Sequence, residues 1–347
     1  MNRPPAELAR HTTLRVGGPA RRVLRAESEE ELVRIVAECD DEGEPVLVVG
    51  GGSNLLVADD GFDGTAVLVG TRGIDVVERE PDGVLVRTAA GEDWDAFVAH
   101  AVGQGWVGLE TLSGIPGRVG ATPMQNVGAY GAEVSQTITQ VRTWDRGRRR
   151  YETIPAEMCD FAYRSSRFKR EPGRHLITSV TFRLDVGDLS APIAYPELAG
   201  RLGVSVGERA PLREVREAVL EIRAAKGMVL DEADHDTWSG GSFFTNPILS
   251  AEQAGHLPAE APRFAAGDDV KTSAAWLIQN AGFARGYGDR HAALSTKHVL
   301  ALTNRGGARA SDLVALAREV RDGVEARFGI RLVPEVNLVG ISLERTP

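Results

Sequence analysis

The 347-residue chain has only two cysteines, Cys39 and Cys159. Two are too few for a disulfide scaffold, and they lack metal-ligand spacing, so a reducing compartment is expected. Its seven histidines are scattered with no HExxH pair, and no structural metal is expected. No apolar run approaches the roughly 18 residues that a spanning helix needs. The opening stretch, MNRPPAELARHTTLRVGG, lacks the apolar core of a signal peptide. The expectation is a cytoplasmic chain with no membrane partner. A basic surplus is missing too: 40 Lys and Arg stand against 49 Asp and Glu, a net charge of -9. That balance argues against general nucleic-acid binding, although Arg146–Arg150 (RGRRR) and Arg164–Arg174 (RSSRFKREPGR) are locally basic.

What the chain does have is glycine, concentrated in two places. Ser113–Gly131 (SGIPGRVGATPMQNVGAYG) carries Gly114, Gly117, Gly120, Gly128 and Gly131 among small residues. Glycine costs backbone entropy unless a positive φ or a close main-chain approach requires it, and a bound cofactor is one such requirement. The second place follows Val46–Val49, a β-branched run that reads as a buried strand and ends in Gly50, Gly51, Gly52, Ser53 and Asn54. Consecutive glycines can expose N–H groups as an anion-binding nest; a tight turn without a ligand is the alternative. A Rossmann fingerprint needs glycine where this chain has Leu55 and a helix where LLVADDGFDGTAVLVG reads as strand and turn, so that reading fails.

The length suggests two or three domains. Glu29–Cys39 has Leu32, Ile35 and Val36 at helical spacing behind a capping Ser28, and Asp93–Val102 places Trp94, Phe97, Val98 and Ala101 on one helical face. Ala66–Val69, Val76–Glu78, Val84–Thr88, Val141–Trp144 and Leu176–Leu184 read as strands, which makes this part α+β or α/β. Leu184–Ala210 reads as a loop or insertion. Leu212–Ala224 is an amphipathic helix stopped at Lys226 and Gly227. Helices are also expected over Thr272–Ala281 and Ser311–Phe328, and strands over Val299–Thr303 and Ile330–Gly340. Within WSGGSFFTNP, Ser242 resembles a hydrolase elbow serine, but G-x-S-x-G would need glycine at Phe244. Taken alone, Ser242 reads as a turn cap, Arg164 as a surface arginine stacked on Phe161 or Tyr163, and Glu335 as a solvent-facing strand residue.

Together, the segments TLRVGGPA at Thr13–Ala20, GGGSNLLV at Gly50–Val57, GLETLSGIPGRVGATPMQNVGAYG at Gly108–Gly131 and AYRSSRFK at Ala162–Lys169 resemble one family. GSFFTNP at Gly241–Pro247, AAWLIQNAG from Ala274, STKHVLALTN at Ser295–Asn304 and PEVNLVG at Pro334–Gly340 continue the resemblance over nearly the whole chain. The family is the UDP-N-acetylenolpyruvoylglucosamine reductases, flavoenzymes of bacterial cell-wall synthesis.

The resemblance implies an α+β fold, with a two-lobed FAD-binding domain of the vanillyl-alcohol-oxidase type followed by a smaller α+β substrate-binding domain. The FAD-binding domain would span residues 1–222, with lobes of about 1–69 and 70–222 and a core of about 15–187. The substrate-binding domain would span 223–335, and a tail, 336–347, would pack back on the first lobe. Gly50, Gly51, Gly52, Ser53 and Asn54 would present N–H groups to the FAD pyrophosphate. Ser113, Gly114, Ile115, Pro116, Gly117, Gly120, Ala121, Gln125, Asn126, Gly128, Ala129, Tyr130 and Gly131 would line the pyrophosphate and the flavin ring. No His or Cys lies in either loop, so FAD would be held non-covalently.

The implied reaction takes a hydride from NADPH through the flavin to the enolpyruvyl ether of a UDP-sugar, in a monomeric enzyme. Ser242 would donate the proton, and Arg164 and Glu335 would hold and polarise the substrate carboxylate. Tyr163, Tyr195, Lys226 and Asn246 match positions that contact the UDP-sugar, with Tyr195 on a loop like that of the longer subtype. Thr245 stands where the family often has Lys, and Ala275 and Asn280 where it often has Gly. Another FAD-dependent oxidase or dehydrogenase on the same fold is the alternative, and a non-catalytic sugar-nucleotide binder is a second.

Overall fold

The computed structural model describes residues 6–344. It divides into two compact units. The inner unit comprises Arg21–Gly51 and Asp63–Ala225; the terminal unit comprises the chain up to Ala20, Gly52–Phe62 and the chain from Lys226 onward.

The inner unit is built on an antiparallel sheet in the order Arg150–Pro155, Ile138–Asp145, His175–Val186, Gly83–Ala89, Ile74–Arg79, with the short strand Trp106–Val107 also on His175–Val186. Alternation dictates which side is buried: Val84 and Val86 point inward while Arg87 faces solvent. The helix Trp94–Gly103 covers this sheet, its start fixed by Asp93, whose Oδ1 accepts the Ala96 N–H at 3.1 Å. Trp94, Phe97 and Phe182 are buried with ring centroids 5.2–6.1 Å apart. Each such burial stabilises by about 1.5–3 kcal/mol. Val46–Val49 pairs in parallel with the strand Phe62–Val69, and the preceding helix Glu29–Glu42 is capped by Ser28 at its start and by left-handed Gly43 at its end.

In the terminal unit the helix Ala310–Phe328 buries Leu313, Leu316, Val320 and Val324 in a core shared with the helix Ala274–Asn280. Asn337–Val339 pairs in parallel with Leu55–Val57, and Asn304 Nδ2 donates to Leu14 O at 3.0 Å. These bonds group residues up to Ala20 and Gly52–Phe62 with the C-terminal segment.

Several boundaries differ from the sequence reading. Leu184–Ala210, expected as a loop or insertion, contains the helix Pro196–Leu202 and has its own small core, with Ile193, Leu198, Ala199 and Ala210 against Val215, Val219 and Ile222. Pro196 supplies the helix start, because proline at the first helical position loses no hydrogen bond. The stretch is too short for its apolar period to show. Of Ile330–Gly340, only Asn337–Val339 is a strand, while Pro334 makes a single bridge to Phe244; Pro334 has no N–H to extend the ladder. Val299–Thr303 shrinks to Leu302–Asn304, paired with Ala292–Leu294.

Candidate active site

In the inner unit the two glycine stretches touch. A Cβ placed on Gly51 would lie 2.6 Å from Gly117 Cα, and one on Gly50 would lie 3.4 Å from Arg118 Cβ. The loops therefore pack main chain against main chain, and Gly117 O also accepts the Trp94 N–H at 3.1 Å. Further along, Gly114 N donates to Asp95 Oδ1 at 2.6 Å, and Asp95 is held in turn by Arg216 at 2.6 and 2.8 Å. Burial pushes the Asp95 carboxyl up, but Arg216 and the Gly114 N–H more than offset it and the net direction is down. Ser113 donates its hydroxyl to Glu110 O at 2.7 Å, and Gly120 N donates to Ala90 O at 2.9 Å.

The end of the loop is a hairpin. Gly128 and Ala129 pair with Glu133 and Ala132, and the two turn residues, Tyr130 and Gly131, both have positive φ, at 52° and 86°. A two-residue turn with both central φ values positive suits Asn-Gly or Asp-Gly far better than a tyrosine. Tyr130 meets the Tyr195 ring edge-on at 5.5 Å and hydrogen-bonds the buried Arg223. Burial raises the Tyr130 pKa and lowers that of Arg223. Arg164, also at positive φ, donates to Gly128 O at 2.9 Å and lies over the Tyr163 ring at 5.4 Å. The stacking expected of a lone surface arginine is thus present, together with a bond that ties Arg164 to the glycine loop. Asn126 is buried, with its amide spent inside the protein on Glu133, Ala162 O and the Ser135 N–H. It braces the loop from within.

In the terminal unit, Ser242 and Glu335 lie on neighbouring chain segments. Glu335 N donates to Phe243 O at 2.8 Å, and Thr245 N donates to Val333 O at 3.0 Å. Asn54 joins the same ladder: its Nδ2 donates to Glu335 O at 3.2 Å and its carbonyl accepts the Asn337 N–H at 3.0 Å. The half-buried Ser242 hydroxyl has no hydrogen-bond partner among the described residues. Asn246 Oδ1 accepts the Ala274 N–H at 3.0 Å, which leaves its amide N–H groups to point elsewhere. Lys226 precedes Gly227, which has a φ of 66° and packs on Asp236 O and the Lys297 side chain. Of the three residues expected to act on the substrate, Ser242 and Glu335 share this unit, and Arg164 belongs to the other.

Asp95, Arg216, Arg223 and the Asp236 cluster were not singled out from sequence, because charged residues in helices and polar loops ordinarily face solvent. The spacing of Asp95, two residues past the helix cap and opposite an arginine more than a hundred residues on, carries no local signal. Asp145, Glu152 and His175 have possible metal-ligand atoms within 4.8 Å of one another. Asp145, however, is already engaged by Arg174 Nη2 at 3.0 Å and by the Arg148 N–H at 2.9 Å. Both cysteines are buried, and burial pushes the Cys159 thiol to about 12, so Cys159 offers no reactive thiolate.

Glycine turns in main-chain contact, with the half-buried Arg118 beside Gly50 and its Nε without a partner, fit an anionic cofactor group. Residues 20–148 match the model of the FAD binding domain, which makes the chain a flavoprotein by class. Residues 232–339 match UDP-N-acetylenolpyruvoylglucosamine reductase, C-terminal domain. The chain is 56% identical over 340 residues to the UDP-N-acetylenolpyruvoylglucosamine reductase of Cutibacterium acnes, covering 97% of this chain and 90% of that one. It is 53% identical over 350 residues to that of Streptomyces coelicolor, with the same coverage. The crystal structure of the reductase from Thermus caldophilus superposes with a TM-score of 0.66 at 26% identity, over 96% of this chain and 97% of that one. The chain belongs to the UDP-N-acetylenolpyruvoylglucosamine reductase family.

Proposed function

We propose that this chain reduces the enolpyruvyl ether of UDP-N-acetylglucosamine-enolpyruvate to UDP-N-acetylmuramate, the peptidoglycan-precursor step, with NADPH as reductant and with Ser242, Arg164 and Glu335 handling proton and charge. Its cofactor is FAD, which when bound relays a hydride between the nicotinamide and the substrate. The observation that carries the residue assignment is the ladder holding Ser242 beside Glu335, with Glu335 N on Phe243 O at 2.8 Å. A hydroxyl and a carboxylate fixed on adjacent backbone segments are preorganised, and preorganised groups meet developing charge without reorganisation. The serine hydroxyl is a weak acid, but an enolate-like carbon is a strong base, so proton transfer at hydrogen-bond distance is favourable. Arg164, as a fixed cation, offsets the carboxylate-conjugated charge.

Gly50–Asn54 and Ser113–Gly131 hold FAD in this reading, Tyr163, Tyr195, Lys226 and Asn246 contact the UDP-sugar, and Lys226 serves the diphosphate as a point charge. Tyr195 is 41% exposed, in keeping with a ring that covers a ligand after it enters. The functional division is an FAD-binding domain over residues 1–222, a substrate domain over 223–335 and a tail beyond. The enzyme acts as a cytoplasmic monomer; no helix among the described residues is long and apolar enough to cross a membrane.

The test separates the half-reactions. Ser242→Ala is expected to keep NADPH-dependent flavin bleaching at the wild-type rate. Turnover of the enolpyruvyl substrate should fall by about 10²–10⁴, the usual contribution of a general acid. Equal losses in both half-reactions would defeat the assignment of Ser242.

A further inference from the structure

We propose that Arg118 is a cofactor-binding residue, its guanidinium receiving the phosphoanhydride of FAD between the two glycine turns. Arg118 directly follows Gly117, the residue that packs on Gly51, and its Cβ and Cγ flank Gly50 at 3.4 and 3.5 Å from a Cβ built there. The side chain is 23% exposed, and its Nε is buried with no hydrogen-bond partner. Its sole ion pair among the described residues is long, 3.6 Å to Asp93 Oδ2. Asp93 is itself 49% exposed, and its other oxygen caps the helix Trp94–Gly103 by accepting the Ala96 N–H. Burial pushes the Arg118 pKa down; Asp93 opposes this, while Arg72 and Arg25 push it further down and Glu92 opposes them. Arg72 and Arg25 have carboxylates of their own, Glu92 at 3.1 Å and Glu27 at 2.5 Å.

A half-buried guanidinium with an unmet donor and two arginine neighbours costs free energy unless an anion completes it. A phosphoanhydride suits that fork, with charge-assisted bonds at a turn whose backbone already favours anions. FAD and NADPH both carry this group. Position favours FAD, because Arg118 lies in the contact between the two stretches assigned to the flavin.

The experiment titrates FAD, riboflavin and NADPH into the full chain freed of flavin, comparing wild type, Arg118→Gln and Arg118→Lys by flavin fluorescence and thermal melting. Loss of charge-assisted bonds should weaken FAD binding by about 10- to 100-fold in Arg118→Gln. Riboflavin, which has no phosphate, should bind as before, and Arg118→Lys should recover part of the loss. The flavin-free Arg118→Gln chain should melt no lower than flavin-free wild type, because the substitution removes an incompletely paired cation. A purely structural arginine would show the opposite pattern, a lower flavin-free melting point with FAD affinity unchanged. Equal losses for FAD and riboflavin, or a weakened NADPH site with FAD affinity intact, would likewise overturn the proposal. Should Arg118→Gln fail to fold, the wild-type preference for FAD over riboflavin must still shrink as ionic strength rises; a salt-independent preference refutes it. All of these readouts are taken without turnover, so they stand apart from the Ser242 test.

Discussion

Gly51→Ala tests whether the meeting of the two glycine stretches is a physical requirement. The new Cβ would stand 2.6 Å from Gly117 Cα, 3.1 Å from Gly117 C and 3.3 Å from Gly117 N, all main-chain atoms that no rotamer change can withdraw. The closest approach is 0.8 Å short of the 3.4 Å at which ordinary contact begins. Gly51 is not at positive φ, so the effect is contact alone. Forced overpacking of this kind costs about 1–3 kcal/mol. At about 2–4 °C per kcal/mol for a domain of this size, the melting point should fall by about 2–12 °C. If the loops part and the penalty is relieved only when FAD is absent, the same energy appears as a loss of FAD affinity of about 5- to 150-fold. The matched control is Gly103→Ala, at the end of a helix with nothing within 4 Å of the added carbon, where replacing glycine should be neutral or slightly stabilising. Melting curves and FAD titration of both variants decide the matter. A Gly51→Ala protein that melts with wild type and binds FAD equally well would refute the contact argument.

Two further outcomes follow from carboxylates that several donors hold. Asp236 is buried and accepts the Thr296 N–H at 3.0 Å, the Thr296 hydroxyl at 2.6 Å and Arg305 at 2.7 Å; burial raises its pKa, but these donors more than offset it and the net shift is downward. A carboxyl depressed in the folded state stabilises above its unfolded pKa and loses that contribution as pH falls through the folded value. Asp236→Asn should therefore melt below wild type at pH 7, by about 1–3 kcal/mol, and the gap in melting point should narrow as pH drops below about 4; a gap that is constant from pH 7 to pH 3 would contradict this. Asp95→Asn breaks the anchor of Gly114 and leaves the mostly buried Arg216 without its carboxylate, at a cost of about 1–3 kcal/mol. Its flavin should dissociate faster, read by fluorescence after dilution, and unchanged release would mean that Asp95 does not shape the loop.

The elements with strong local signals were legible. Glu29–Cys39, Leu212–Ala224 and Ser311–Phe328 show the helical period and end at glycines, and each is a helix within a few residues of its expected limits. The central strands were readable from β-branched runs, but their order was not, since Gly83–Ala89 pairs with His175–Val186 across ninety residues of chain through hydrogen bonds that any sequence can make. Short strands such as Phe264–Ala266 and Ala292–Leu294 hold three residues each, too few for an alternation to register. At the site, glycine clusters announced the loops because glycine is costly elsewhere. The residues that brace those loops, Asp95 with Arg216 and Tyr130 with Arg223, are ordinary charged and aromatic residues that only the fold brings together.

Backbone strain points to the same place by an independent route. Six described residues other than glycine have positive φ: Arg15, Asn126, Tyr130, Arg149, Asp160 and Arg164. Asn and Asp tolerate that region, because a short polar side chain can bond locally; Tyr and Arg do so at a cost. Three of them neighbour one hairpin: Arg164 donates to Gly128 O, Tyr130 sits in the turn that follows, and Asn126 donates to Ala162 O close to Arg164 in the chain, so these three lie in one corner of the inner unit. A chain selected for stability alone would place Asn or Gly at the Tyr130 turn. Strain of about 1–3 kcal/mol per residue persists only where the surroundings over-determine it, and at Tyr130 they do, through the hydrogen bond with Arg223 and the edge-on contact with the Tyr195 ring. The corner holds an aromatic ring and a guanidinium beside the glycine loop, which is the rigidity that the roles proposed for Tyr130 and Arg164 would require.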